Sequence, residues 1–161
     1  MKLTDDMKRV VLEQRLGYAA TVCADSTPNL SPKGTTTVFD DEHLMFAHIH
    51  SPQTVRNLQR NPAIEINVVD PIVRKGYRFK GLGTVHLDGG MYERGLRILV
   101  ERGSRTPRER INAIVIVTIE TAAPLISPVY DAGLSEQEVA AQWEGRRNAL
   151  RKEPGGPADS S

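Results

Sequence analysis

Asn29-Leu-Ser-Pro-Lys-Gly-Thr35, Ser51-Pro-Gln-Thr-Val-Arg-Asn-Leu-Gln-Arg-Asn-Pro62 and Gly76-Tyr-Arg-Phe-Lys-Gly81 follow one another along the chain. In the first stretch side chains alternate with period two, so Ser31, Lys33, Thr35 and Thr37 share one strand face. By spacing alone this row is either a solvated face or one that meets a ligand. Pro32 removes a ladder donor and Gly34 lets another molecule approach the backbone. In the second stretch Ser51 is placed to accept from an orphan amide. Pro52, at the first helical position, gives up an amide that has no partner there. The helix then stops near Asn61-Pro62. Its open first turn is either a plain cap or a phosphate site, with Ser51 and Thr54 as hydroxyl donors and Arg56 as charge. In the third stretch Arg78 and Lys80 fall on one face and Tyr77 and Phe79 on the other. Two cations without a neighbouring acid favour an anion or a solvated face.

Outward from these, residues 4–14 place Met7, Val10, Val11 and Gln14 at helical spacing behind Thr4. Gly17 to Ala24 alternates up to a turn at Asp25-Ser-Thr-Pro28, and Asn29 to Phe39 resumes extended, which reads as a hairpin. His43 to Ile49 is a third strand after Asp40-Asp-Glu, and Ala63 to Val69 is a half-buried one. Gly76 to Leu87 is extended and ends at Gly89-Gly90; a helix follows with Tyr92, Leu96, Leu99 and Val100 on one stripe. Ile111 to Ile119 is apolar on both faces and suits a central strand. A last helix starts at Ser135, with Val139, Trp143 as packing anchor, and Leu150, and the Pro/Gly/Ser tail 153–161 is expected to be disordered. Five or six strands joined mostly by turns argue for an antiparallel barrel.

The 161 residues fit one domain, and 21 basic against 20 acidic residues leave a net charge of +1. No global field recruits nucleic acid or a membrane, so any anion site is local. The single Cys23, in an apolar strand, is expected to be a buried, inert thiol. With neither a leader nor an apolar run near twenty residues, the expected location is the cytoplasm. His48 and His50 share a strand face, but two histidines without a third ligand do not make a metal site. Gly81-Leu-Gly83 opens no helix and is no dinucleotide fingerprint; a bend or close packing explains it.

The three ordered stretches resemble the FMN-binding split barrels of the pyridoxamine 5'-phosphate oxidase type, over roughly residues 15 to 131. The resemblance implies a mainly β, six-stranded antiparallel split barrel with short flanking helices, one domain over 1–152, binding FMN noncovalently at a homodimer interface. It implies that Ser31, Pro32, Lys33, Gly34 and Thr35 lie along the flavin, and that Ser51, Thr54, Arg56 and Asn57 surround its phosphate. It also implies that the strand of Tyr77, Arg78 and Lys80 reaches toward the partner's cofactor. Family members of the oxidase type often carry Lys where Gln53 stands, which shifts the counter-charge to Arg56, Lys33 or a residue outside this turn. The Arg-rich, Trp-containing substrate segment of the authentic oxidase is not found, since Trp143-Glu-Gly-Arg-Arg147 follows helical spacing. The substrate and the catalytic side chains stay open, because the isoalloxazine carries the electrons. Within the fold the alternatives are the deazaflavin F420, whose acidic tail Arg74-Lys75, Arg78 and Lys80 could meet, and a flavin or haem carrier or sensor. For haem, His48, His50 and His86 are the ligand candidates.

Overall fold

The computed structural model describes residues 1–152; the tail 153–161, read above as disordered, lies outside the described residues. Helix α1 (Asp5–Gln14) starts where Thr4 Oγ1 accepts the Met7 amide at 3.2 Å, with Asp5 and Asp6 in its first turn. Strands β1 (Gly17–Val22), β2 (Pro28–Lys33), β3 (Thr37–Val38) and β4 (His43–His48) precede helix α2 (Pro52–Arg60). Strands β5 (Ala63–Asp70) and β6 (Lys75–His86), helix α3 (Gly89–Glu101), strand β7 (Ala113–Ile126) and helix α4 (Glu136–Lys152) complete the order, with short 3-10 turns at Arg108–Arg110 and Pro128–Ala132.

All strand pairs are antiparallel, in one sheet ordered β2-β1-β5-β6-β7-β4-β3. The sheet has seven strands where six were expected. The run 29–39 is interrupted because the Thr36 amide and hydroxyl both donate to the Lys33 carbonyl, at 3.2 and 2.8 Å, which separates β2 from the two-residue β3. Those two strands are the opposite edges of the sheet, yet only Gly34, Thr35 and Thr36 join them. Seven flat strands would put the edges roughly 29 Å apart, while the link reaches about 14 Å at most. The sheet therefore rolls into a barrel, with a seam where its edges meet.

Inside the barrel lie Leu44, Phe46, Ile66, Val68, Phe79, Val115, Val117 and Ile119, all but unexposed. Met7, Val10 and Val11 of α1 close one end, against β5, β3 and the start of β6; Leu58 of α2 closes the other. Outside, Tyr92, Leu96 and Leu99 of α3 pack on Met45, Ala47, Ile114 and Ile116. That second layer is why the first half of β7 is apolar on both faces, as its sequence requires. Val100 leaves the expected stripe, 72% exposed, because it lies about 80° round the helix from Tyr92. On α4 Val139 is buried, Leu150 is exposed and Trp143 sits between the guanidinium groups of Arg74 and Arg146, 4.4 and 5.4 Å from its ring centroid. Trp143 thus anchors α4 through cations rather than through the core.

Candidate functional site

Polar side chains gather at the seam. On β2 the inward positions are Asn29, Ser31 and Lys33, because Pro28, Leu30 and Pro32 point out. The row does not continue as one strand: Lys33 ends β2, Gly34 is exposed, and Thr35 Oγ1 accepts the Ala47 amide at 2.9 Å across the seam. Nor is β2 central, since it forms a sheet edge. Lys33 is not solvated either; it is 5% exposed. Its Nζ donates to Ser31 Oγ at 2.7 Å and stands 5.5 Å from the centroid of the Phe46 ring. Burial without a counter-ion pulls its ammonium down to about 8.

The start of α2 lies beside it. Ser51 precedes the helix but makes no side-chain cap, contrary to the reading of Ser51 as acceptor for an orphan amide. Instead its backbone N–H donates to His48 Nδ1 at 3.2 Å, and its Oγ lies 3.2 Å from the same nitrogen. An amide can only donate, so Nδ1 is an acceptor and the neutral imidazole carries its proton on Nε2. Burial first, then repulsion by Lys33 and His50, holds His48 below its ordinary value. Pro52 has no amide, and the free amides of the first turn keep no side-chain cap. His50 lies past the end of β4, so the two histidines do not share a strand as expected. Among the described residues no group of three or more metal-ligating side chains occurs.

A chain of hydrogen bonds runs from the helix surface into the barrel wall. Arg56 Nη2 donates to Gln53 Oε1 at 2.7 Å, Gln53 Nε2 to Asn57 Oδ1 at 2.7 Å, and Asn57 Nδ2 to Thr21 Oγ1 at 3.0 Å. The guanidinium accepts nothing, so it fixes the direction of every amide behind it. Asn29 Nδ2 also donates to Thr21 Oγ1, at 3.1 Å, and lies 3.4 Å from Thr54 Oγ1. Gln53 therefore steers Arg56 rather than supplying charge itself. Asn57 and Thr54 are almost fully buried and brace the helix. Cys23 is half-buried beyond the end of β1, with Asn57 Nδ2 3.5 Å from its sulfur, and is less enclosed than its apolar context suggested.

The third stretch goes elsewhere. Tyr77 points toward α1 and donates its hydroxyl proton to Asp6. Arg78 and Lys80 point outward and are not without an acid. Glu65, directly opposite Lys80 on β5, meets Arg78 Nε at 2.9 Å and Lys80 Nζ at 3.5 Å. Side chains of β5 alternate between buried and open, which puts Glu65 on the outer face, and the β5–β6 pairing brings it beside the cations. A hollow of about 430 Å³ on this outer face includes Glu65 and Lys80 but not Lys33, Ser51 or His48. Arg78 and Lys80 thus belong to a different surface from the seam of the same chain.

One property unites the seam. Strands β1, β2, β3 and β4 and helix α2 contain no Asp or Glu at all, in a chain with 20 of them. A buried ammonium, uncapped helix amides and a steered guanidinium, among walls free of carboxylate, fit an anionic group such as a phosphate. The Phe46 ring beneath Lys33 and the exposed Gly34 leave backbone for a planar ring to lie against.

Comparison with known proteins bears on the family and the fold. The family model described as pyridoxamine 5'-phosphate oxidase matches residues 3–124. No curated protein matches the chain. Among solved structures, HupZ of Group A Streptococcus is 30% identical with a TM-score of 0.69, covering 78% of this chain and 95% of its own. A protein described as F420 reductase is 25% identical with a TM-score of 0.59, covering 75% of this chain and 98% of its own. An FMN-binding protein from Syntrophomonas wolfei shares the fold at 15% identity and a TM-score of 0.59, with 74% and 84% covered.

Proposed function

The chain belongs to the pyridoxamine 5'-phosphate oxidase family, and on that premise we propose that it binds FMN noncovalently, at sites completed by a second copy of the chain, and works as an oxidoreductase. The observation that carries the reading is Lys33: a buried cation with no acid on any of the five elements around it. Such a group is costly unless an anion arrives. The phosphate would take the free amides of α2, Ser51 and Arg56, and the ring would lie along Ser31 to Thr35 beside Lys33. Bound FMN would supply the electron transfer, while these residues bind and orient it.

A second copy is supported by the outer face of β2, β1, β5 and β6. The registers put Tyr18, Val22, Leu30, Val69 and Leu82 on one side, each more than a third exposed, around the Glu65, Arg78 and Lys80 cluster. Helix α3 packs its core on the β4–β7 part of the sheet. An apolar face of this extent in a barrel wall is suited to isologous pairing. Pairing through it would bring Arg78 and Lys80 toward the neighbour's seam.

The F420 reading is favoured by one comparison alone, the likeness to the F420 reductase. The visible spectrum of the purified protein separates the cofactors, since bound FMN shows two flavin bands, haem a Soret band and F420 its own maximum. Titration then tests the phosphate: FMN is expected to bind better than riboflavin, a charge-assisted bond being worth roughly 1.5–3 kcal/mol. Equal affinities would remove the proposed phosphate site.

A further inference from the structure

Lys33 is enclosed more completely than a simple surface counter-charge needs. Its Nζ has Ser31 Oγ as a neutral acceptor and the Phe46 ring at its side. The other ionisable groups bordering the seam are His48 on β4, His50 just past it, Arg56 on α2 and the Cys23 thiol beside Gln53 and Asn57, and none is a carboxylate. Strands β1 and β3 contribute no ionisable side chain to the barrel interior, because Tyr18 points outward. A cation so placed gains stability when an anion joins it.

We propose that Lys33 is the residue that makes the site select an anionic ligand, by binding one proton together with that ligand: the empty seam holds a fraction of its lysines neutral, and arrival of the FMN phosphate or an anionic flavin edge completes their protonation. The proton comes from solvent and goes to Lys33 Nζ, whose lone pair becomes the third N–H bond; no other bond changes. This rests on the FMN reading and adds to it a stoichiometry that ordinary phosphate binding lacks.

The burial that pulls Lys33 to about 8 sets the useful pH range. Above pH 8 a phosphate monoester is already fully ionised, its second pKa being about 6. His48, held low, is already neutral there. Proton uptake between pH 8 and 9 that disappears when Lys33 is replaced therefore reports Lys33. Calorimetric titration of the full chain with FMN in Tris and in HEPES, whose ionisation heats differ, reads proton uptake directly. About half a proton per FMN is expected at pH 8 and about nine-tenths at pH 9, with affinity falling about fifteenfold from pH 8 to pH 9.5.

Lys33→Arg keeps the charge but does not titrate in this range. It should bind FMN with no proton uptake and with an affinity flat from pH 8 to 9.5. Lys33→Met should lose both the uptake and most of the affinity. FMN binding by the unaltered chain without proton uptake overturns the inference and leaves the cofactor reading standing. So does uptake that persists in Lys33→Arg. Absence of FMN binding at every pH overturns both. Cys23→Ser, which should leave the uptake unchanged, keeps the assignment to Lys33 testable even if a Lys33 variant fails to fold.

Discussion

At the scale of single residues, the seam trades stability for binding. Keeping Lys33 charged in the folded chain is unfavourable, so Lys33→Met should raise the stability of the ligand-free protein at pH 7 by about 1–3 kcal/mol. Chemical denaturation checks this, and a loss of stability would show that the ammonium is better solvated than its burial implies. The sign with pH follows. The folded-state value is depressed to about 8 while the unfolded chain keeps its proton to higher pH, so the contribution of Lys33 to stability rises with pH above 8 and levels off above the unfolded value. In Lys33→Met that rise should be missing. Gln53 offers a second test, because it aims Arg56 and adds no charge. Gln53→Ala should weaken FMN binding about threefold to tenfold. Gln53→Glu should weaken it further, since it neutralises Arg56 and brings a carboxylate into a wall that has none. Equal affinities for the two variants, in parallel titrations, would sever Arg56 from the phosphate.

At the scale of elements, most of the strand and helix plan was legible from periodicity, and the exceptions have local causes. The stop of α2 before Asn61-Pro62 and the doubly covered start of β7 follow from proline chemistry and from apolar runs. The break between β2 and β3 was not legible, because it depends on Thr36 bonding back to Lys33, and threonine is also a good strand residue. The Glu65 contact with Arg78 and Lys80 was missed for another reason: a strand read alone does not reveal its neighbour's charges. His48 was weighed only as a ligand, whereas its partner is an amide three residues on, a contact set by the turn. The glycines of β6 follow their reading as sites of bending and close packing. A Cβ on Gly81, at the register shift between β6 and β7, would stand 1.9 Å from the Thr118 carbonyl oxygen. A Cβ on Gly83 would meet only the end of the Leu58 side chain, at 3.0 Å. Gly81→Ala should therefore cost about 2–3 kcal/mol and Gly83→Ala clearly less. Thermal melts of the two variants check the order.

At the scale of the whole molecule, the uncovered outer face predicts a dimer in sedimentation, and Leu30→Glu should shift it to monomer while leaving the barrel folded, because Leu30 is 66% exposed in the single chain. A dimer that survives this change would place the interface elsewhere. The short link Gly34–Thr36 between opposite sheet edges bears on how the molecule forms. The β1–β2 hairpin is local, but Met45 pairs with Ile116, so β4 finds its place only when the chain roughly seventy positions later has folded. The roll can shut only after that. Lys33 and His48, on strands that become neighbours at this moment, would then be among the last groups brought together and the first to part in native-state fluctuations. Amides of β3 and the start of α2 should exchange with solvent faster than those of β6 and β7 in the ligand-free chain. A ligand lying across the seam would act as its latch: at a hundred times its dissociation constant it would add about 2.7 kcal/mol of stability, with the gain in protection concentrated where the barrel was last to close.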